Sequence, residues 1–258
     1  MSDRKWLPGK FVWFELVTND AKKAQAFYGE VLGWTVRGFP MGPGTYEMIY
    51  AGDTMIGGYA SPTTKDAPSL WLSYVSVEDV DATARVVVAR GGEVIEPARD
   101  VPGAGRMVRI ADPQGAAMCL FTRADGDPPD ELAPAGRWVW NELHTRDTKR
   151  ALAFYKDALG FSDAAMDGGP SGTYHVLSRG GVGRAGLTGA LPEGVGPYWL
   201  PYVHVDDVDA TIVRARKLGG TAPFGPEDVP GIGRLGALTY PGGAPIAVMK
   251  PLPKMATR

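Results

Sequence analysis

The chain has 258 residues, 44% of them hydrophobic and 22% charged, an ordinary globular composition that excludes a mainly disordered protein. Its 27 Lys and Arg nearly balance 29 Asp and Glu, for a formal charge of -2, so nothing electrostatic favours a nucleic-acid or anionic membrane partner. The single cysteine, Cys119, can form neither an internal disulfide nor a Cys-rich metal centre, which points to the reducing cytoplasm.

The opening MSDRKWLPGK is polar and lacks the apolar run of a signal peptide, and no stretch approaches the roughly 18 apolar residues of a spanning helix. FVWFELVT, from Phe11, reads as a strand by its aromatic and β-branched content. Asn19 and Asp20 then offer capping side chains, and Ala24, Phe27, Tyr28, Val31 and Leu32 recur at helical spacing until Gly33 stops the run. Short strands follow at 34–37, 46–50 and 55–59. The next part repeats the pattern: a strand over 70–77, a helix from about Asp79 to Arg90 closed by Gly91 and Gly92, and strands near 93, at 106–110 and at 117–121. Each part is a βαβββ unit. The GAGR and GIGR segments at Gly103 and Gly231 precede strands and so read as hairpin turns, not phosphate loops.

The same order then recurs. GKFVWFELVTNDAKKAQAFYGEVLGWTV from Gly9 matches GRWVWNELHTRDTKRALAFYKDALGFSD from Gly136 at 14 of 28 positions. GTY at 44–46 and 172–174, WLSYVSVEDVDAT and WLPYVHVDDVDAT, and DVPGAGR and DVPGIGR also pair. The chain is a tandem duplication. The Pro- and Asp-rich segment between the copies has no periodicity, giving a first domain over 9–123, a linker over 124–135 and a second domain over 136–251. The expected fold is α+β, four βαβββ units in two tandem domains whose strands line small-molecule clefts.

The D-x-x-x-A-x-x-F-Y-x-x-x-L-G run, the V-x-D-V-D-A helix start, the G-G that ends that helix and the D-P-x-G turn resemble the vicinal oxygen chelate superfamily. That group includes glyoxalase, bleomycin-resistance and extradiol-dioxygenase proteins. The resemblance runs from Gly9 to Met249, and the paired W-L-x-Y-V and D-V-P-G-x-G-R motifs look most like an actinobacterial tandem branch labelled as glyoxylases, hydroxylases or culture-filtrate antigens. It implies a divalent metal held by a His on the first strand, a His or Gln on the second unit's first strand, and a Glu on the last strand. Those places hold Trp13 and Trp140, Leu72 and Leu200, and Cys119 and Ala247. None suits a hard metal, so no metal and no cofactor are expected.

Residues two beyond the ligand places share their strand face: Glu15 and Glu142, and Tyr74 and Tyr202. A carboxylate and a phenol in each cleft can hydrogen-bond a ligand or move a proton. Buried glutamates must be paired, protonated or reached by water; two readings stand for them, a ligand contact and a residue at the cleft mouth. For the tyrosines the wall of the cleft is the preferred reading. All three histidines fall in the second copy; a metal site of His144, Glu142 and His204 displaced along the strands is one reading, and the preferred one, from strand length, puts His144 and His204 at a solvated rim. Cys119, in the apolar strand AAMCLF, reads as core. Trp13, Trp71, Trp140 and Trp199 supply aromatic area suited to stacking a flat ligand.

The expected function is binding of a small aromatic or polyketide-like molecule without metal, with Trp13, Glu15, Leu72, Tyr74, Cys119, Trp140, Glu142, His144, Leu200 and Tyr202 as candidate contacts. The alternative is a glyoxalase- or hydroxylase-like lyase or oxidoreductase acting through Glu142, Tyr202 and Glu15, with a contribution from His144. Either reading fits a cytoplasmic monomer or homodimer with no nucleic-acid or membrane partner.

Overall fold

The computed structural model describes residues 5–42, 44–131, 133–169 and 172–252. The first copy runs β1 (Phe11–Val17), α1 (Ala21–Leu32), β2 (Thr35–Met41), β3 (Gly44–Ala51), β4 (Thr54–Ala60), β5 (Leu70–Ser76), α2 (Val80–Ala89), β6 (Glu93–Val101), β7 (Gly105–Ala111) and β8 (Ala117–Arg123). The second runs β9 (Trp138–His144), α3 (Thr148–Leu159), β10 (Ser162–Asp167), β11 (Thr173–Arg179), β12 (Val182–Thr188), β13 (Tyr198–His204), α4 (Val208–Lys217), β14 (Thr221–Val229), β15 (Gly233–Tyr240) and β16 (Gly243–Pro251). This is an α+β fold of four βαβββ units. Each copy's strands follow one order, β2-β3-β4-β1-β5-β8-β7-β6 and β10-β11-β12-β9-β13-β16-β15-β14.

Local chemistry sets the helix ends. Asp20, Asp79, Asp147 and Asp207 each accept a bond from the backbone N–H three residues on, at 2.8–3.0 Å, which satisfies a donor that the helix itself leaves orphaned. Gly33 and Gly160, at φ 71° and 65°, close α1 and α3 in the left-handed conformation that other residues resist.

The packed cores divide the chain differently from its repeats. One compact unit takes the residues through Trp13, Leu72–Asp130 and Trp140–Trp199; the other takes Phe14–Trp71, Glu131–Val139 and the residues from Leu200 onward. Each therefore joins a βαβββ unit of one copy to one of the other. In the first, α2 faces α3, and Val80, Val87, Ile110 and Leu120 of copy one pack with Phe154, Tyr155, Leu177 and Leu187 of copy two. In the second, α1 faces α4, Arg214 donates to the carbonyl of Val31 at 3.0 Å, and Tyr28, Trp34, Trp71 and Trp138 form an aromatic cluster with centroids 5.1–6.0 Å apart.

Two of the four tryptophans offered for ligand stacking belong to these cores. Trp71 and Trp199 are 5% and 4% exposed, and their indole N–H groups donate to Tyr28 and Tyr155 at 3.1 and 3.2 Å. They follow the alternation of their strands, one residue out of phase with Leu72 and Leu200.

Candidate functional site

In the first unit, β9, β11 and β12 bring together a set of polar and aromatic side chains. Glu142 lies opposite Gly186 in the parallel β9–β12 pairing, and Trp140 and His144 flank it on the same strand face. Tyr174 reaches across from β11. A Cβ on Gly186 would stand 1.8 Å from the Tyr174 hydroxyl and 3.1 Å from Trp140 Nε1, so glycine here is what lets the phenol cross the strand. At Gly183, by contrast, a Cβ would make ordinary contact with Trp140 Cη2 at 3.6 Å. Trp140 Nε1 donates to the Tyr174 hydroxyl at 2.9 Å, and that hydroxyl bonds Glu142.

His144 completes the group. Its Nδ1 donates to the carbonyl of Ala190 at 2.7 Å, which fixes the proton on that nitrogen and turns Nε2 toward Glu142 Oε1, 2.8 Å away. The Tyr198 ring stacks parallel on the imidazole at 4.9 Å. Burial works to lower the His144 pKa, but the bond and charge of Glu142, with the Ala190 carbonyl, outweigh it and the net shift is upward. Burial first, and the Glu142 charge second, push the phenols of Tyr174 and Tyr198 up; Tyr174 thus stays protonated and able to donate. Side chains only 13% and 9% exposed make His144 and Glu142 a buried pair. The solvated rim expected for His144 is corrected on this point: Tyr198 and the loop carrying Ala190 cover it, which strand length does not reveal.

The first copy has a simpler version, in the second unit. Tyr46 donates to Glu15 Oε1 at 2.7 Å, Gly58 lies opposite Glu15, and a Cβ there would stand 2.0 Å from the Tyr46 hydroxyl. Val17 and Leu70 occupy the places of His144 and Tyr198. The glutamate–tyrosine pair is thus common to both copies, and the imidazole with its stacking ring belongs to the second.

The other candidates are placed as follows. Trp13 is half-buried on β1. Leu72 and Cys119 are buried, and Tyr74, opposite Cys119 in the β5–β8 pairing, packs edge-on against Phe121 at 5.9 Å. Leu200 and Tyr202 are buried on β13, Tyr202 opposite Ala247. His204 Nδ1 donates to Ala133 at 2.6 Å, and His175 Nδ1 meets Asp163 at 2.9 Å. Tyr46, Tyr174 and Tyr198 are the functional candidates that sequence reasoning missed. The shared GTY motif carries the first two, but its tyrosine gains meaning only through the facing glycine.

The places at which the resemblance implies metal ligands do not fit a metal. Leu72, Leu200 and Ala247 have no donor atom, Cys119 is fully buried beside Tyr74, and the Trp140 indole nitrogen donates a proton and has no lone pair to offer. Among the described residues, no group of three or more His, Cys, Asp and Glu could hold an ion. An open groove of about 330 Å³, lined by Glu78, Asp79, Thr83, Asp157 and Arg179 among others, lies at the helix ends of the first unit. Its one cation, Arg179, is engaged by the carbonyl of Leu159. Among the described residues, no helix is long and apolar enough to cross a membrane.

Residues 10–120 match the family model for the Glyoxalase/Bleomycin resistance protein/Dioxygenase superfamily. The chain is 36% identical to "Putative glyoxylase CFP32" of Mycobacterium bovis, over 94% of this chain and 95% of that protein. It is 31% identical to "Anthracycline biosynthesis protein DauV" of Streptomyces sp. (strain C5), over 95% and 94%. Its fold is similar to that of the Mn(II)-bound glyoxalase from Novosphingobium aromaticivorans, with a TM-score of 0.65 and 18% identity over 96% of this chain and 89% of that one.

Proposed function

This chain belongs to the Glyoxalase/Bleomycin resistance protein/Dioxygenase superfamily, and from that premise we propose that it binds a small aromatic, polyketide-like molecule at the Trp140–Glu142–His144 site without a metal. The observation that carries the reading is the convergence of Trp140, Tyr174 and Tyr198 on a buried Glu142–His144 pair. Aromatic walls contribute apolar contact, while the carboxylate and its partners orient a hydroxylated ligand. The name of the Streptomyces relative, which places it in anthracycline biosynthesis, supports an aromatic polyketide as the ligand class.

The test is a fluorescence titration with 1,8-dihydroxyanthraquinone in the presence of a chelator. The reading expects saturable binding that Trp140→Ala weakens by about tenfold or more. Absence of binding, a requirement for added Mn, Fe or Zn, or an unchanged Trp140→Ala variant overturns it.

A second reading, glyoxalase- or hydroxylase-like turnover through Glu142 and His144, draws on one observation: an imidazole and a carboxylate in contact at 2.8 Å can exchange a proton with a substrate. Glu142→Gln separates the two, since it abolishes turnover in an enzyme and only shifts affinity in a binder.

A further inference from the structure

Arg184 is a feature of the second copy alone; the first has Ile56 in its place. The β11–β12 register passes from Leu177↔Ala185 to Ser178↔Gly183, so Arg184 is the extra residue of a β-bulge, a device that re-aims a side chain. Its side chain is only 8% exposed. Nη1 and Nη2 grip Asp130 in a fork, at 2.6 Å to Oδ1 and 3.0 Å to Oδ2. Lys10 Nζ stands 3.1 Å from the same carboxylate and also donates to the carbonyls of Pro128 and Pro129 at 2.8 and 2.7 Å. Nε of Arg184 is buried with no hydrogen-bond partner among the described residues.

Two cations thus converge on a single carboxylate, leaving a half-buried excess of positive charge. That carboxylate sits on a segment with neither helix nor strand, and its side chain is 40% exposed. The desolvation of Asp130 opposes its ionisation, but the bonds from Arg184 and Lys10 prevail and hold its pKa below the usual value. Gly183, the residue before Arg184, lies beside the Trp140 ring, where a Cβ would stand 3.6 Å from Cη2.

We propose that Arg184 and Lys10 form a binding site for the carboxylate of a small aromatic acid, and that Asp130 is its built-in occupant, displaced when the ligand enters. A planar carboxylate matches the guanidinium fork as Asp130 does. The inference goes beyond the ligand reading above and uses nothing assigned to Glu142 or His144.

The experiment titrates benzoate, with benzamide as the neutral control, into the wild type, Asp130→Asn and Asp130→Asn/Arg184→Gln by calorimetry. The expected result is benzoate binding at least about tenfold tighter in Asp130→Asn than in the wild type, lost again in the double variant, with benzamide unbound throughout. Affinity of Asp130→Asn within about twofold of the wild type, or a gain that survives the loss of Arg184, overturns the proposal. If circular dichroism shows Asp130→Asn unfolded, the ¹⁵N side-chain signals of Arg184 in the wild type decide: a saturable shift with benzoate supports the site, and no shift overturns it. Failure here leaves the anthraquinone result untouched, so the two readings fall separately.

Discussion

A carboxylate buried as deeply as Glu142, which is 7% exposed, is tolerable because a phenol and an imidazole meet it. That a buried Glu142 would demand a partner was legible in the sequence, but strand alternation left open whether it was buried or stood at the cleft mouth. The identity of the partners was less so. His144 shares that face, but its burial comes from Tyr198 and the Ala190 carbonyl, which arrive from elsewhere in the chain. The pair has a pH signature. Because the folded-state pKa of His144 is raised above 6.5, its contribution to stability is complete below about that pH and is lost as pH rises through the higher folded value. Urea midpoints should therefore show the wild type's advantage over His144→Gln shrinking from pH 6 to pH 9, and an advantage that grows with pH would contradict the ion pair.

At the level of elements, the helices were well read because their signals are local: a capping aspartate, an apolar stripe and a closing glycine lie within one stretch of chain. The hairpins were read as strands without their purpose. Their glycines look like weak strand residues until the register sets Gly58 opposite Glu15 and Gly186 opposite Glu142. Gly186→Ala is therefore expected to destabilise the protein by about 1–3 kcal/mol through overpacking against Tyr174 and to loosen the Tyr174–Glu142 bond. The same substitution in a Tyr174→Ala background should cost much less. Equal costs in the two backgrounds, measured by chemical denaturation, would show that the phenol is not what the glycine accommodates.

Across the whole molecule, duplication was plain from the sequence, but how the four units share their cores was not. Sequence identity between copies makes every apolar stripe fit two partners equally, and only packing separates them. The cores pair α2 with α3 and α1 with α4, so each draws on both copies. Expressed alone, residues 9–123 should leave the α2 stripe of Val80, Ala84 and Val87 without its partner from the second copy and should self-associate. A stable monomer of that fragment, seen by sedimentation, would contradict cross-copy packing. The duplicated halves have also diverged at the site: both keep the glutamate–tyrosine pair and a tryptophan two residues before the glutamate, but His144 and Tyr198 of the second copy are replaced by Val17 and Leu70 in the first.

We propose that the ligand site lies in the second copy and works without a metal. Native mass spectrometry of the untagged protein with 1,8-dihydroxyanthraquinone reads both parts at once, as the mass of any bound metal and the number of ligands per chain. The expected result is a metal-free complex with one ligand, retained in Trp13→Ala and lost in Trp140→Ala. Stoichiometric metal, or a ligand that persists in Trp140→Ala, would contradict it.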